Sequence, residues 1–462
     1  MTSDRAKGGV GKAEPVAAER RHQTGRAKPE PGAAAHLLKA ESTRFDQVKR
    51  VIKSLTVALA LGAIAFGQTV LDMPSWQATE PGTADWFNAL IDEFEAQNPG
   101  VEIDFTHDPF AGYNDRMITR FAAGNTPDIL HLPAANFMIY AQEEWLAPLD
   151  ERMAASDSPI LDEWTPVQAG CEYQGETYCV IVLGYGYVLG WNQTAFEEVG
   201  LSGPPTSSAE LIDYARQLTI DRDGDGNIDQ YGFVFPTITH AGVETTVSTF
   251  LFEADPDGHW VDAEGQLNRD AIKSAWGVLS QLIEEGSVPL GVDNNGKRQY
   301  FVEGRAAMML EGPWIQGNID SAADGIREGL RVAPTPTQGQ IYGGASNVLA
   351  IPAGLSPERE DLAWEFIELF STQEWQANYA TIAGQPPARA GVLSDEILAE
   401  SENMAQYVAA ADSARDYIPP GMEEDYTRFR DHVIEASLAV LLQGADPDSV
   451  LDQLQGQIDR LR

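Results

Sequence analysis

The sequence is poor in the residues and motifs that most hydrolases, metalloenzymes and nucleotide-binding proteins need. Its 462 residues include only seven histidines and two cysteines. The patterns G-x-S-x-G and H-E-x-x-H are absent, and so is a glycine-rich phosphate-binding loop with its lysine. Acidic residues are so numerous that two carboxylates will lie close together by chance, so no catalytic pair is identifiable. We therefore expect no enzymatic activity, with a carboxylate-based hydrolase or lyase as the alternative.

Basic residues are also scarce. The chain has 31 Lys and Arg against 70 Asp and Glu, which gives a formal net charge of −39 at pH 7. A surface of this sign repels phosphate backbones. The charge therefore excludes nucleic acid as a partner.

Long apolar runs are absent except for one near the N-terminus, at residues 55–66. Basic residues precede this run between positions 49 and 53, and small residues follow at 65 and 67, which is the three-part pattern of a signal peptide. We predict a signal peptide over 48–67, preceded by a disordered leader or a mis-called start over 1–47. No cysteine follows for a lipid anchor, so the expected location is the periplasm. An uncleaved N-terminal membrane anchor is the alternative.

The two cysteines lie close together, in "GCEYQGETYC". A turn at Gln174-Gly175 with a three-residue loop would place Cys171 opposite Cys179. In an exported protein such a pair indicates a small disulfide that clamps a hairpin. A metal site is disfavoured because no histidine lies nearby.

Strand and helix patterns alternate along the first part of the chain and predict an α/β fold, with a parallel sheet and helices on its faces. The pattern resumes after the cysteines, and the last 110 or so residues are mostly amphipathic helix. The early segments are "TVLDMPSW", "TADWFNALIDEFEAQNPG", "VEIDF", "YNDRMITRFAAG" and "TPDILHL". The later ones are "YGYVLGWN", "SSAELIDYARQLT", "YGFVF", "AAMMLEGPW" and "NVLAIPAG".

An acid-rich loop, "DRDGDGNIDQYG" at 221–232, has the side-chain spacing of a calcium-binding loop. Its last position should supply a bidentate acid, but Gly232 stands there, so the predicted site is structural. The alternative is an Asx/Gly turn with solvated acids. No other cofactor is expected. The predicted ligands are Asp221, Asp223, Asp225, Asn227 and Asp229.

Five short sequence segments, spread over the chain, carry a family resemblance. They are "AAGNTPDIL", "LGWNQTAFEEVGL", "FVEGRAAMMLEGPW", "PTPTQGQIYGGASNVLAIPAG" and "AGQPPAR". In this order they resemble family 1 extracellular solute-binding proteins of the maltose-binding type, which serve ATP-binding cassette importers. The resemblance spans about residues 68–462. It implies a two-lobed periplasmic-binding-protein fold, each lobe a mostly parallel sheet flanked by helices and joined to the other by hinge crossings.

On that pattern the N-terminal lobe takes 68–182 and 306–347, and the C-terminal lobe takes 183–305 and 348–462. The resemblance further implies an exported monomer that captures a sugar or oligosaccharide by hinge closure and delivers it to a membrane permease. The alternatives are a secreted carbohydrate-active hydrolase or lyase, and a polyamine- or ferric-ion-binding receptor of the same fold.

Sugar binding needs aromatic plates with polar groups around them. Trp314 follows the strand "AAMML" at its carboxyl end, where ligands sit in open α/β sheets, and Trp76 and Gln77 follow the first strand in the same way. Tyr185 and Tyr187 lie two apart in an extended segment and so face one side. For each aromatic residue, packing in the core or at the sheet–helix interface is the alternative.

Further polar and glycine positions complete the predicted site. Asn136 and Glu311 follow strands, and the Gly343-Gly344 pair would let backbone N–H groups approach a ligand. Ordinary loop structure is the alternative for all of these. The remaining predicted contacts are Asn347 and Arg389, the second because the family often places a cleft residue there.

Overall fold

The first strands and helices of the computed structural model follow the predicted order. The residues it describes are 68–156, 163–164, 166–256, 258–337, 341–394, 398–399, 401–416 and 418–462, so the leader and signal-peptide predictions (1–47 and 48–67) lie outside them. Among the described helices, none is both long and apolar enough to cross a membrane. The strands are β1 (Thr69–Ser75), β2 (Val101–His107), β3 (Leu130–Pro133), β4 (Glu172–Tyr173), β5 (Glu176–Thr177), β6 (Cys179–Gly186), β7 (Val188–Asn192), β8 (Met308–Glu311), β9 (Leu330–Ala333), β10 (Ile341–Ala350) and β11 (Ala414–Asp416).

Helices cover the faces of these sheets, and their apolar spacing explains where they form. The first helix buries Trp86, Phe87, Leu90, Ile91 and Phe94, which recur every three or four residues. The α-helices are Thr83–Gln97, Tyr113–Ala122, Phe137–Gln142, Asp150–Ala155, Gln193–Glu198, Ser208–Leu218, Ala241–Ala254, Arg269–Glu284, Asn294–Val302, Gln316–Asp320, Pro357–Phe370, Gln373–Asn378, Glu402–Asp412, Tyr426–Gln443 and Pro447–Ile458.

The sheets contain both parallel and antiparallel pairs. Strands β1 and β2 pair in parallel over their full length. Strand β10 lies between β3 and β6, antiparallel to both, and pairs in parallel with β11. This long strand therefore joins segments far apart in sequence and places the carboxyl end of β3 near β6.

A third sheet has the order β8-β7-β9, with both neighbours antiparallel to β7. The predicted lobe boundaries assign 183–305 and 306–347 to different lobes, whereas this pairing puts 308–311 and 330–333 beside 188–192. The pairing of β7 with β8 and β9 therefore crosses the predicted boundary near residue 305. The lobe boundaries stay predictions.

The predicted strand "YGFVF" is reduced to isolated bridges. Tyr231 pairs with Ala306, and Val234 pairs with Met309, each as a single parallel contact. The aromatic side chains of Phe233 and Phe235 are buried all the same. The prediction of a strand therefore overestimated the length of regular pairing.

The predicted disulfide is confirmed, and the loop that closes it is shorter than expected. Cys171 and Cys179 are bonded, with their Cα atoms 5.1 Å apart. Gln174 and Gly175 both have positive φ, at 52° and 84°, and form a two-residue turn between β4 and β5. The expected three-residue loop is therefore wrong. The two cysteines form the disulfide although they are not directly opposite each other in the hairpin.

Candidate ligand-binding site

A cavity of about 660 Å³ lies among loops that come from distant parts of the chain. Its volume is within the range of small-molecule sites. The wall is built by residues at and after the carboxyl ends of β1, β2, β3, β6 and β8, by Tyr342 and Ser346 of β10, and by residues of the helices Ala241–Ala254, Asn294–Val302 and Tyr426–Gln443. Six of the eleven predicted ligand contacts line it, namely Trp76, Gln77, Tyr185, Tyr187, Glu311 and Trp314.

Trp76 forms one aromatic part of the wall, directly after β1. Ser75 ends that strand and caps the following turn, because its Oγ accepts a hydrogen bond from the backbone N–H of Gln77 at 2.9 Å. The Trp76 indole stacks on His131 with ring centroids 4.4 Å apart and packs edge-on against Phe110 at 5.5 Å. The turn and the stacking fix the indole, and only a small part of it is exposed.

Trp314 lies in the wall after β8, as its position in the sequence predicts. Its ring contacts Tyr185 and Tyr187, with centroids 5.0 Å and 6.0 Å away. Gly312 lies directly against the indole, since a Cβ there would come within 2.4 Å of the ring. Only glycine permits this approach, so Gly312 sets how the indole folds back over the chain. The indole is half-buried.

Glu311 holds the other end of that indole. Its Oε1 accepts hydrogen bonds from Trp314 Nε1 at 2.7 Å and from the Gly312 backbone N–H at 3.1 Å. Its Oε2 lies 2.9 Å from Lys297 Nζ and 3.0 Å from Arg298 Nε. Burial alone would raise the pKa of Glu311, but the charges and hydrogen bonds of Lys297 and Arg298 lower it to about 2. The predicted ligand contact is thus a buried carboxylate with four protein donors, and it positions Trp314.

Tyr185 and Tyr187 face the same side of the chain, as their spacing predicts, and that side is the cavity. Their rings lie 5.8 Å apart. Tyr187 also meets Tyr342 edge-on at 5.3 Å. Burial raises the pKa of Tyr187 well above its ordinary value, so its hydroxyl stays protonated. The pair therefore supplies ring faces, and Tyr187 supplies a neutral hydroxyl group.

Glu244 is a lining residue that the sequence analysis missed. It lies in the first turn of the helix Ala241–Ala254 and is almost fully buried. Its Oε1 accepts from Ser248 Oγ at 2.7 Å, and its Oε2 accepts from the hydroxyls of Tyr342 at 2.9 Å and Tyr426 at 3.5 Å. Burial raises its pKa. The only sign of this residue in the sequence is an acidic side chain within a mostly apolar helix.

Three nitrogen-bearing side chains complete the missed part of the wall: His240, Arg298 and Arg430. His240 caps the helix Ala241–Ala254. Its pKa is lowered to about 4, first by burial and then by the positive charges of Lys297, Arg298 and Arg430. No local motif marks these residues, because they come from separate helices and meet only when the chain folds.

Two predicted contacts, Asn347 and Arg389, are buried and do not line the cavity. The Nδ2 of Asn347 lies 2.8 Å from Gln77 Oε1 and 2.6 Å from His131 Nε2, so it orients Gln77 from behind. The guanidinium of Arg389 donates to Glu163 and to the backbone carbonyl of Ser371. The structure places both side chains away from the cavity wall, because neighbouring segments cover them.

The other three, Asn136, Gly343 and Gly344, also lie outside the wall. Asn136 is buried and accepts a hydrogen bond from Thr427 Oγ1 at 3.1 Å. Gly343 belongs to β10, where an added Cβ would lie 2.1 Å from the carbonyl oxygen of Tyr185. Gly344 pairs with Tyr185 in the same ladder. Gly343 therefore permits close strand packing, and the predicted approach of a ligand to the two glycines stays a prediction.

The acid-rich loop lies outside the cavity wall. Oxygen atoms of Asp221, Asp223 and Asp225 come within 4.8 Å of one another. Backbone N–H groups donate to all three, for example Gly224 to Asp221 at 2.7 Å, and Asp229 accepts from Arg222 at 2.7 Å. The spacing fits an oxygen site for Ca²⁺, and the same contacts fit an Asx turn. The calcium site, with Asn227 as a backbone ligand, stays a prediction.

Solved structures show the same fold. The GacH receptor of Streptomyces glaucescens, crystallised unliganded and with acarbose, superposes with a TM-score of 0.73 at 21% identity, over 85% of this chain and 98% of that one. The maltose-bound MalE3 of T. maritima gives 0.75 at 21% identity, over 85% and 100%. The fold is the two-lobed α/β fold of periplasmic binding proteins.

Sequence comparison extends over most of the chain. A maltotriose-binding protein of Pyrococcus abyssi is 24% identical over 335 residues, which are 69% of this chain and 67% of that protein. A binding protein of Brucella abortus is 23% identical over 420 residues, 88% of this chain and 95% of that one. The model of the bacterial extracellular solute-binding proteins matches residues 89–406. The chain therefore belongs to the bacterial extracellular solute-binding protein family.

Proposed function

We propose that this protein captures a sugar or oligosaccharide in the cavity and delivers it to the permease of an ATP-binding cassette importer. The observation that carries the proposal is the set of aromatic side chains, Trp76, Tyr185 and Trp314, that line one cavity together with polar groups. Pyranose rings offer apolar faces to such side chains and hydroxyls to the groups around them. Relatives that bind maltotriose and galactooligosaccharides support the same ligand class.

The mechanism is closure on the ligand without bond cleavage. A ligand that touches both lobes binds the closed form more tightly than the open form and shifts the population toward it. The closed form is what a permease would recognise. The membership of this family supports a transport role and gives no support to catalysis.

Export is part of the proposal. The family is extracellular, and the segment 48–67 would supply the signal peptide that directs the chain to the periplasm, where we propose that it acts as a monomer. Mass analysis of protein recovered from the periplasm should show that the leader has been removed near residue 67. An intact N-terminus on protein retained in the cytoplasm would refute export.

A ligand screen on the purified exported protein tests the central claim. Mono- and oligosaccharides, including maltose and maltotriose, should raise the thermal midpoint when they bind the native state, and calorimetry then gives the affinity. Chromatography of a glycan pool after incubation should return every sugar intact, whereas a hydrolase or lyase would consume some. Spermidine and ferric citrate serve as arms for the receptor alternatives. Stabilisation by these alone would refute a carbohydrate ligand.

A further inference from the structure

One corner of the cavity is rich in hydrogen-bond donors and positive charge. We call it the cationic corner and define it by His240, Arg298, Arg430 and the first turn of the helix Ala241–Ala254. All of these lie on the cavity wall, and Ala241 and Gly242 expose the helix N-terminus there. The partial positive charge of a helix N-terminus adds to that of the guanidinium groups.

Arg430 is the group whose bonding is least complete. Its Nε is buried and has no hydrogen-bond partner, although the residue lines the cavity. Among the described residues no carboxylate lies within ion-pair distance of its guanidinium. The Tyr426 ring lies 5.8 Å away, and the charge of Arg430 also acts on the buried Glu244, whose carboxylate is bonded to three hydroxyls. A buried donor that bonds neither protein nor solvent costs free energy. An acceptor supplied by the ligand would remove that cost.

Arg298 adds a second guanidinium with spare donors. Its Nε bonds Glu311, and Glu311 is shared with Lys297, so one carboxylate faces two cations. The cluster of these three residues carries a net charge of +1. A guanidinium has five N–H donors, so most of those on Arg298 are not used by Glu311.

His240 contributes a neutral donor. Its Nδ1 accepts the backbone N–H of Gly242 at 3.0 Å, so the proton of the uncharged ring is on Nε2. Burial first, and then the positive charges of Lys297 and the two arginines, lower the pKa of His240 to about 4 and keep the ring uncharged. The ring is thus a donor within a locally positive field.

The carboxylates that line the cavity already have donors of their own. Glu244 accepts from three hydroxyls, and Glu311 accepts from four groups. Glu80 accepts from Gln77 Nε2 at 3.2 Å, and Asp293 is exposed and caps its helix through the Gly296 N–H at 2.7 Å. Glu244 and Glu311 therefore have their donors within the protein, whereas Arg430 Nε has no acceptor.

We propose that the cationic corner binds an anionic group of the ligand, a carboxylate or a phosphate, so that the preferred ligands are acidic or phosphorylated saccharides. The proposal rests on the proposed function, because it names the ligand class of the same cavity. Arginine forks match the two oxygens of such groups. The net charge of the chain does not oppose this, because salt screens distant charges within about 8–10 Å, whereas the corner lies in direct contact with the ligand.

Calorimetry on the exported protein with matched ligand pairs tests it. The pairs are glucuronic acid with glucose, galacturonic acid with galactose, and glucose 6-phosphate with glucose, and maltotriose is an uncharged oligosaccharide. We expect at least one charged ligand to bind tenfold or more tightly than its uncharged partner. The uronic acids and the phosphate are separate arms, and preference in either one supports the proposal and identifies the anion.

Substitutions at two positions of one helix separate local contact from overall charge. Arg430→Gln should weaken binding of the charged ligand at least tenfold more than that of its uncharged partner, and Arg430→Lys should restore part of that preference. Arg428→Gln removes the same charge two residues away, from a side chain that is 73% exposed and pairs with Asp425. It should leave both affinities unchanged.

The possible failures are distinguishable. If uncharged saccharides bind as tightly as their acidic partners, the anion proposal is overturned and the proposed function stands. If Arg428→Gln and Arg430→Gln weaken the charged ligand equally, the effect is long-range and the cationic corner is not the site. If no saccharide binds, charged or uncharged, the proposed function fails and this inference fails with it. The wild-type comparison decides even where Arg430→Gln does not fold.

Discussion

Replacement of Trp314 by alanine is the most direct test of the cavity as a sugar site. The indole is held in place before any ligand arrives, by Glu311 through Nε1, by Gly312 beneath the ring and by Tyr185 and Tyr187 beside it. A plate that is already ordered loses little entropy when a sugar stacks on it. Its deletion should therefore appear mainly in the affinity.

The expected magnitudes follow from the burial of this side chain. Loss of an aromatic anchor in a closed cavity costs roughly 2–4 kcal/mol of binding, which is about 30- to 1,000-fold in Kd. A fully buried tryptophan costs about 3–5 kcal/mol of stability when truncated. Trp314 is only half-buried, so we expect about 2 kcal/mol of stability to be lost, including its hydrogen bond to Glu311.

Trp191 provides a matched control. It is also half-buried, packs on Phe196 with centroids 5.1 Å apart and lies outside the cavity wall. Trp191→Ala should therefore lose similar stability and keep its affinity. Calorimetry with the tightest ligand of the screen and denaturant unfolding of both variants give the two quantities. Equal affinities for Trp191→Ala and Trp314→Ala would refute the role of Trp314 in binding.

Three further predictions concern stability. The pKa of Glu311 is about 2 in the folded protein, below its ordinary value of 4.5. Its ion pairs therefore stabilise the folded protein fully above pH 4.5. This contribution, about 3 kcal/mol, is lost as the pH falls towards 2. The stability difference between wild type and Glu311→Gln should shrink by that amount in denaturant unfolding from pH 5 to pH 2; a constant difference would contradict the assignment. Replacement of Cys171 and Cys179 by alanine should lower the free energy of unfolding by about 2–3 kcal/mol, since the loop is short. Thiol titration of the unreduced, denatured wild type should find no free thiol. Two free thiols would contradict the disulfide. Ca²⁺ should raise the thermal midpoint of the wild type but not that of Asp223→Ala, and sugar affinity should be the same in both proteins. If Asp223→Ala loses sugar affinity at normal stability, the loop belongs to the ligand site.

Local pattern predicted much of this protein. The spacing of Trp86, Phe87 and their neighbours identified a helix, and the alternation around Tyr185 and Tyr187 identified an extended segment with both rings on one side. The disulfide followed from there being two cysteines eight residues apart. These inferences succeed because helix and strand periodicity, and the reach of a short loop, depend on residues close in sequence.

The tertiary structure decided which polar residues line the cavity. Asn347 and Arg389 were predicted as ligand contacts, yet packing directs the first to Gln77 and the second to Glu163. Arg430 and His240 lie 190 positions apart and meet in one wall because two helices pack together. Such residues meet through long-range packing. The free energy of burying one side chain then depends on residues that lie far away in the sequence, so a short stretch of sequence does not predict it.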